Sequence, residues 1–166
     1  MTISRRNFVI TASLAGASTI VLPTQAQTAS TMRQGISREE FERYITLFNN
    51  NQPGFVDFYD NDVVLELSNQ QIKGKQGILD FYAEVKQHLV ETVTIEHFVS
   101  DATGLAVVLP TEFRCFKDWD SAFFHRFIKA GEVMRLVSFV MYWVQDKKFK
   151  QIKSARYKLI NDWQME

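Results

Sequence analysis

The sequence predicts one α+β domain in which a cone-shaped, curved mixed or antiparallel sheet packs on three helices of the N-terminal half and encloses an apolar pocket. Three observations predict it. Helical periodicity is confined to the first half, between Ser37 and Leu89, while long alternating or apolar runs fill the second half. The chain has 166 residues, 46% of them hydrophobic and 13% aromatic, which suits one domain with a sizeable core. Helices first, one helix inserted after a hairpin, then consecutive strands is the order of an α+β layer pair. A twisted sheet of that kind curls around its helices and leaves a cavity between the layers.

Before the domain, Ser4-Arg5-Arg6-Asn7-Phe8 opens a mildly apolar run that Pro23 ends, and Thr24-Gln25-Ala26 supplies small residues for a cleavage site. This resembles a twin-arginine export signal over residues 1–26, too short and polar for a stable membrane span, and implies a periplasmic or otherwise exported protein. Residues 27–36 read as a flexible linker, 37–160 as the domain and 161–166 as a C-terminal tail. Removal of 1–26 takes away two of the 19 basic residues and none of the 19 acidic ones, leaving a net charge of −2 (17 against 19). No basic stripe is present, so nucleic acid is not an expected partner. Cys115 is the single cysteine and has no ligand spacing around it, so neither an internal disulfide nor a metal site is expected.

Ser37-Arg38-Glu39-Glu40 is a capping box, and Phe41, Tyr44, Ile45 and Phe48 follow on one helical face. Asn49 to Gly54 ends that helix, and Phe55 to Tyr59 reads as a short second one. Val63 to Leu67 and Ile72 to Gly74 form a hairpin. The third helix is expected from about Lys75 to Leu89, with Ile78, Tyr82, Val85 and Leu89 on one side. Strands are expected at Val93 to Val99, Leu105 to Phe116, Val133 to Val144 and Phe149 to Leu159. The aromatic connection Lys117 to Ala130 reads as a lid or a contact surface.

The strings Phe58-Tyr59-Asp60-Asn61-Asp62-Val63-Val64, Gly74-Lys75-Gln76-Gly77-Ile78-Leu79-Asp80-Phe81-Tyr82 and Lys148-Phe149-Lys150-Gln151-Ile152, in this order and spacing, resemble the nuclear-transport-factor-2-like superfamily. That group includes SnoaL-like polyketide cyclases, ketosteroid isomerases and scytalone dehydratase, and hosts many chemistries on one fold. The resemblance implies a homodimer. Against the ketosteroid isomerases, Tyr44 falls on the hydrogen-bond donor and Tyr59 and Tyr82 on its supporting tyrosines. Leu67 and Phe139 stand where those enzymes keep a carboxylate base and a protonated acid, so standard steroid isomerisation is excluded. Related dehydratases and dehydrochlorinases place a histidine base on the strand after the third helix, which points to His97.

The residues themselves offer alternatives. Tyr44, Tyr59 and Tyr82 either hold a ligand oxygen or satisfy one another in the core. His97 suits proton transfer near neutral pH, against a plain edge histidine. Arg156 shares a face with Ile152 and Ser154 and either holds an anionic group or forms a rim ion pair; Arg135 is a weaker version of the same idea. The expected activity is a cofactor-independent lyase, isomerase or cyclase acting on a small, apolar, oxygenated molecule, with Tyr44, His97 and Arg156 as its catalytic set. Tyr59, Tyr82, Leu67, Phe139, Arg135 and Ser154 are the expected ligand contacts. The alternatives are a non-catalytic periplasmic module for a hydrophobic ligand and a pure assembly module.

Overall fold

The computed structural model describes residues 35–68 and 70–166, so the expected export signal lies outside the described residues. Helix α1 covers Arg38–Asn49. Its capping box closes as expected: Ser37 Oγ accepts from the Glu40 amide at 3.2 Å and the Ser37 amide donates to Glu40 Oε2 at 2.7 Å. Phe41, Tyr44, Ile45 and Phe48 are its buried face. Ile36 before it is also in the core, so the domain begins inside the stretch expected as a linker.

A 3-10 helix, Pro53–Phe58, stands where the second helix is expected. Strands β1 (Tyr59–Leu67) and β2 (Gln70–Lys73) pair antiparallel. Helix α2 covers Gly74–Val85 and stops a turn earlier than expected. Leu89 continues the helical spacing but opens β3 instead, Leu89–Val93. The expected strand from Val93 to Val99 is therefore two strands, β3 and β4 (His97–Ser100), broken over residues 94–96. The break costs few hydrogen bonds, because the Thr94 and Glu96 amides still donate to Pro110 and Val108 carbonyls of β5.

Strand β5 (Gly104–Cys115) is followed by the short hairpin β6 (Trp119–Ser121) and β7 (Arg126–Ile128), then by β8 (Glu132–Gln145) and β9 (Lys148–Met165). The expected tail is strand: residues 161–165 continue β9, with Trp163 buried and Glu166 paired to Arg135 and Arg114. The main sheet runs β2-β1-β9-β8-β5-β3, with β4 also on β5. Only the β1–β9 pair is parallel. At Gly104 a Cβ would lie 2.3 Å from the Tyr142 carbonyl, so this crossing of β5 and β8 needs glycine.

The concave face of the curl carries the larger core, built on Phe41, Tyr44, Phe149 and Ile78. A second cluster, Trp119, Ile128, Met134 and Trp163 among it, anchors the β6–β7 hairpin, whose connecting loop reaches the cavity lining.

Candidate active site

A cavity of about 420 Å³ fills the cone between the concave sheet face and the helices. That is the size of a small-molecule site. Its inner wall is a tyrosine cluster. Tyr44 comes from α1, Tyr59 from the start of β1, Tyr82 from α2 and Tyr142 from β8. The Tyr44 and Tyr59 hydroxyls are 2.9 Å apart and share a hydrogen bond, and the Tyr44 and Tyr142 rings meet edge to face. Two hydroxyls joined by one hydrogen bond hold two protons, so one O–H of the pair is left to donate to another group. Burial raises the pKa of all four phenols well above the usual value, so they stay protonated donors at neutral pH.

The same wall holds one carboxyl group, and the sequence reading misses it. Glu91 shares the inner parity of β3 with the buried Leu89 and Val93, while Val90 and Thr92 point out. It is enclosed by protein atoms yet remains partly open to the cavity it lines. Burial pushes its carboxyl up to about 7, and the Lys86 ammonium partly counters this. Its charge acts on all four phenols. Lys86 itself is fixed at the end of α2 by donation to Asn51 Oδ1 (2.8 Å) and the Phe48 carbonyl (3.3 Å), with its Nζ over the Phe48 and Phe55 rings. Asn49 holds the strand in place: its side chain donates to the Val93 carbonyl at 2.8 Å and accepts from the Val93 amide at 2.9 Å. This pairs the end of α1 to the end of β3 and covers a strand edge that is otherwise open.

Of the expected site residues, Tyr44, Tyr59, Tyr82, Leu67, Ser154 and Arg156 line the cavity. Three do not. His97 is exposed on β4, because the break over 94–96 separates its parity from that of Val93. Phe139 is 47% exposed on the convex face and stacks there on Tyr157; its neighbours Ser138 and Val140 face the cavity instead. Arg135 is on the convex face too, opposite Glu112 in register, and its Nε donates to Glu112 Oε2 at 2.8 Å. The loop between β6 and β7 brings Phe123, Phe124 and His125 to the cavity lining. His88, by contrast, stacks on Trp119 at 5.2 Å and belongs to the anchor of that hairpin.

Among the described residues no group of His, Cys, Asp and Glu is placed to hold a metal ion, and no helix is long and apolar enough to cross a membrane. The titratable groups that face the cavity are suited to moving protons: one carboxyl group poised near neutrality beside a set of fixed O–H donors.

The family model described as Nuclear transport factor 2 (NTF2) domain matches residues 36–136. No curated protein matches the chain. Among solved structures, a protein described as a polyketide cyclase from Xanthomonas campestris pv. campestris is similar over 69% of this chain and 84% of its own, with a TM-score of 0.59 at 14% identity. An LEH-like epoxide hydrolase of M. tuberculosis is similar over 70% of this chain and 78% of its own, with a TM-score of 0.56 at 12% identity. The structure of TerC co-crystallised with polyporic acid is similar over 71% and 88%, with a TM-score of 0.56 at 15% identity. At these identities the likeness is one of fold.

Proposed function

The chain belongs to the nuclear transport factor 2 domain family, and on that premise we propose that it is a cofactor-independent acid–base enzyme of the lyase, isomerase or cyclase type. Its substrate is a small, largely apolar, oxygenated molecule. The observation that carries this reading is Glu91 in the cavity wall, a carboxyl group held near neutral pKa beside four protonated tyrosines. A group that titrates near the working pH is present in both its forms and serves equally as base and acid.

The chemistry follows from the two groups. The Glu91 carboxylate takes a proton from a carbon next to a substrate carbonyl, and the C–H electrons move into an enolate. The free tyrosine O–H donates to the oxygen as its charge grows. The Glu91 proton then returns to a different carbon, which is isomerisation, or goes to a departing hydroxyl, which is loss of water. In ring closure the enolate carbon attacks a second carbonyl of the same molecule and the proton goes to the new alkoxide. Fold neighbours described as a polyketide cyclase and an epoxide hydrolase support this class.

The test is Glu91→Gln, which keeps size and hydrogen bonding but cannot move a proton. Substrates found by turnover screening of small carbonyl compounds should lose turnover while binding survives. Full turnover by the Gln variant would remove Glu91 from the mechanism. A second reading, a non-catalytic carrier of a hydrophobic ligand, draws on Leu67, which lines the cavity and, by the resemblance, falls on the base position of the ketosteroid isomerases. Recovery of a bound ligand chemically unchanged after prolonged incubation would favour it.

Arg5, Arg6 and the Thr24-Gln25-Ala26 stretch support work in the periplasm after export, which N-terminal sequencing of the secreted chain would test. The exposed apolar side chains Phe139, Met141, Trp143 and Tyr157 on the convex face support pairing with a second copy. Sedimentation equilibrium would decide that.

A further inference from the structure

The cavity carries a second polar cluster that the acid–base reading leaves unused. Arg156 on β9 is the register partner of Ser138 on β8, and Ser154 precedes it on the same inner face of β9. All three line the cavity. Directly opposed residues of antiparallel strands hold their Cβ atoms about 4.5–5.5 Å apart. Same-face neighbours along one strand are about 7 Å apart. A guanidinium on its long stem therefore shares the space above both hydroxyls.

None of the three side chains has a hydrogen-bond or ion-pair partner among the described residues. The contrast with other arginines is direct. Of the other five described arginines, Arg38, Arg114, Arg126 and Arg135 each face a carboxylate, and the fifth, Arg43, is exposed on α1 away from the cavity; Arg156 is also exposed, but its side chain lines the cavity. The one acid in the cavity lining, Glu91, stands on β3, with β8 and β5 between it and β9. Across the curl the two charged groups occupy opposite sides of the same space without pairing. A guanidinium with no protein counter-charge, flanked by two uncommitted O–H donors and opening into an apolar-walled cavity, is the complement of a planar oxyanion.

We infer that Arg156, Ser138 and Ser154 form an anion subsite and that the substrate is an amphipathic carboxylic acid. Its carboxylate sits on these three side chains, and its apolar, oxygenated body crosses the cavity toward Glu91 and the tyrosines. The orientation rests on the acid–base reading of Glu91; the subsite itself does not. It selects acids over neutral analogues of the same shape.

The test uses 1-naphthaleneacetic acid and its neutral isostere 1-naphthaleneacetamide, titrated calorimetrically at pH 8 against the wild-type protein, Arg156→Met, Arg156→Lys, Ser138→Ala and Glu91→Gln. Charged hydrogen bonds of this kind should favour the acid at least about tenfold in the wild type. Arg156→Met should bring the acid down to the affinity of the amide and leave the amide unchanged. Arg156→Lys should keep part of the preference, Ser138→Ala should weaken the acid a few-fold, and Glu91→Gln, which removes a like charge from the cavity, should raise the preference. Equal affinities in the wild type, or equal losses of acid and amide in Arg156→Met, overturn the subsite and leave the acid–base reading standing. Failure of both compounds to bind the wild type overturns the subsite and the pocket reading together.

Discussion

The two faces of the main sheet treat the same kinds of residue in opposite ways. On the concave face Glu91 has no ion pair, and burial lifts its carboxyl to about 7. On the convex face Glu166 is held below the usual carboxylate range by Arg135 and Arg114, in a network that includes Glu112. Aromatic residues divide similarly. Tyr142 is buried among hydroxyls, whereas its neighbour Trp143 is exposed under the Lys153 ammonium. Adjacent residues on one strand differ only in parity. The lesson is that side chains of one chemical type become reactive or inert according to the face they reach, because only the concave face withdraws them from water without a directly paired counter-charge, Lys86 offsetting the burial of Glu91 only in part.

The largest expected effect separates the faces outright. Glu91→Gln should lower turnover by about 10²–10⁴-fold, the usual weight of a general acid–base group. Glu112→Gln on the convex face should leave it unchanged, and steady-state kinetics on the same substrate checks both. Equal losses would erase the distinction.

Next is stability against pH. A carboxyl group whose folded pKa is raised contributes stability that is fully present below the unfolded pKa and is lost as pH rises through about 7. The displacement is worth at most about 3 kcal/mol. The difference in urea unfolding free energy between wild type and Glu91→Gln should therefore shift in favour of the variant from pH 4.5 to pH 8. The convex carboxyl Glu166 works with the other sign: its contribution is present above the unfolded pKa and fades on acidification. A difference between wild type and Glu91→Gln that does not vary with pH would show that Glu91 is solvated.

Tyr44→Phe removes one hydroxyl of the buried Tyr44–Tyr59 pair and should cost about 1–2 kcal/mol, while Tyr157→Phe on the convex face should be neutral. Denaturant titration of the two variants sharpens the comparison. Lys86→Met removes the charge that counters burial at Glu91, so the titration seen in a pH–rate profile should move above 7. The smallest effect is expected from Arg135→Met, a minor and salt-sensitive loss of stability on the exposed face.

Tyr44 and Tyr82 on the helices are legible from the sequence, as are Tyr59, Leu67, Ser154 and Arg156 on β1 and β9. Tyr44 sits on a helix announced by its capping box and apolar stripe, and the register of that stripe places it inward. Strand parity was harder. In β8 both faces are apolar, from Val133 and Met134 through Val140 and Met141, so alternation does not say which parity is buried. Since side chains alternate with a period of two, the opposite parity places Phe139 and Arg135 inward and turns Ser138 and Tyr142 out of the cavity. Glu91 was missed at an element boundary. Leu89 fits the helical stripe of Ile78, Tyr82 and Val85, and it fits equally the buried parity Leu89, Glu91, Val93 of a strand. A charged residue between two apolar ones on the inner parity of a short strand is the signal that would have found it.

The sequence by itself determined the architecture: where helices start, which segments extend, and that enough apolar surface exists to close one curled sheet over a cavity. Those are local and compositional properties, carried by caps, periodicity and aromatic content. Only the tertiary structure decided which residues meet there. Glu91 and the tyrosines come from β3, α1, β1, α2 and β8, and their assembly depends on a strand break at 94–96, a helix ending at Val85 and the parity of β8. Each of these is settled by burial against partners distant in the chain, which no local pattern encodes.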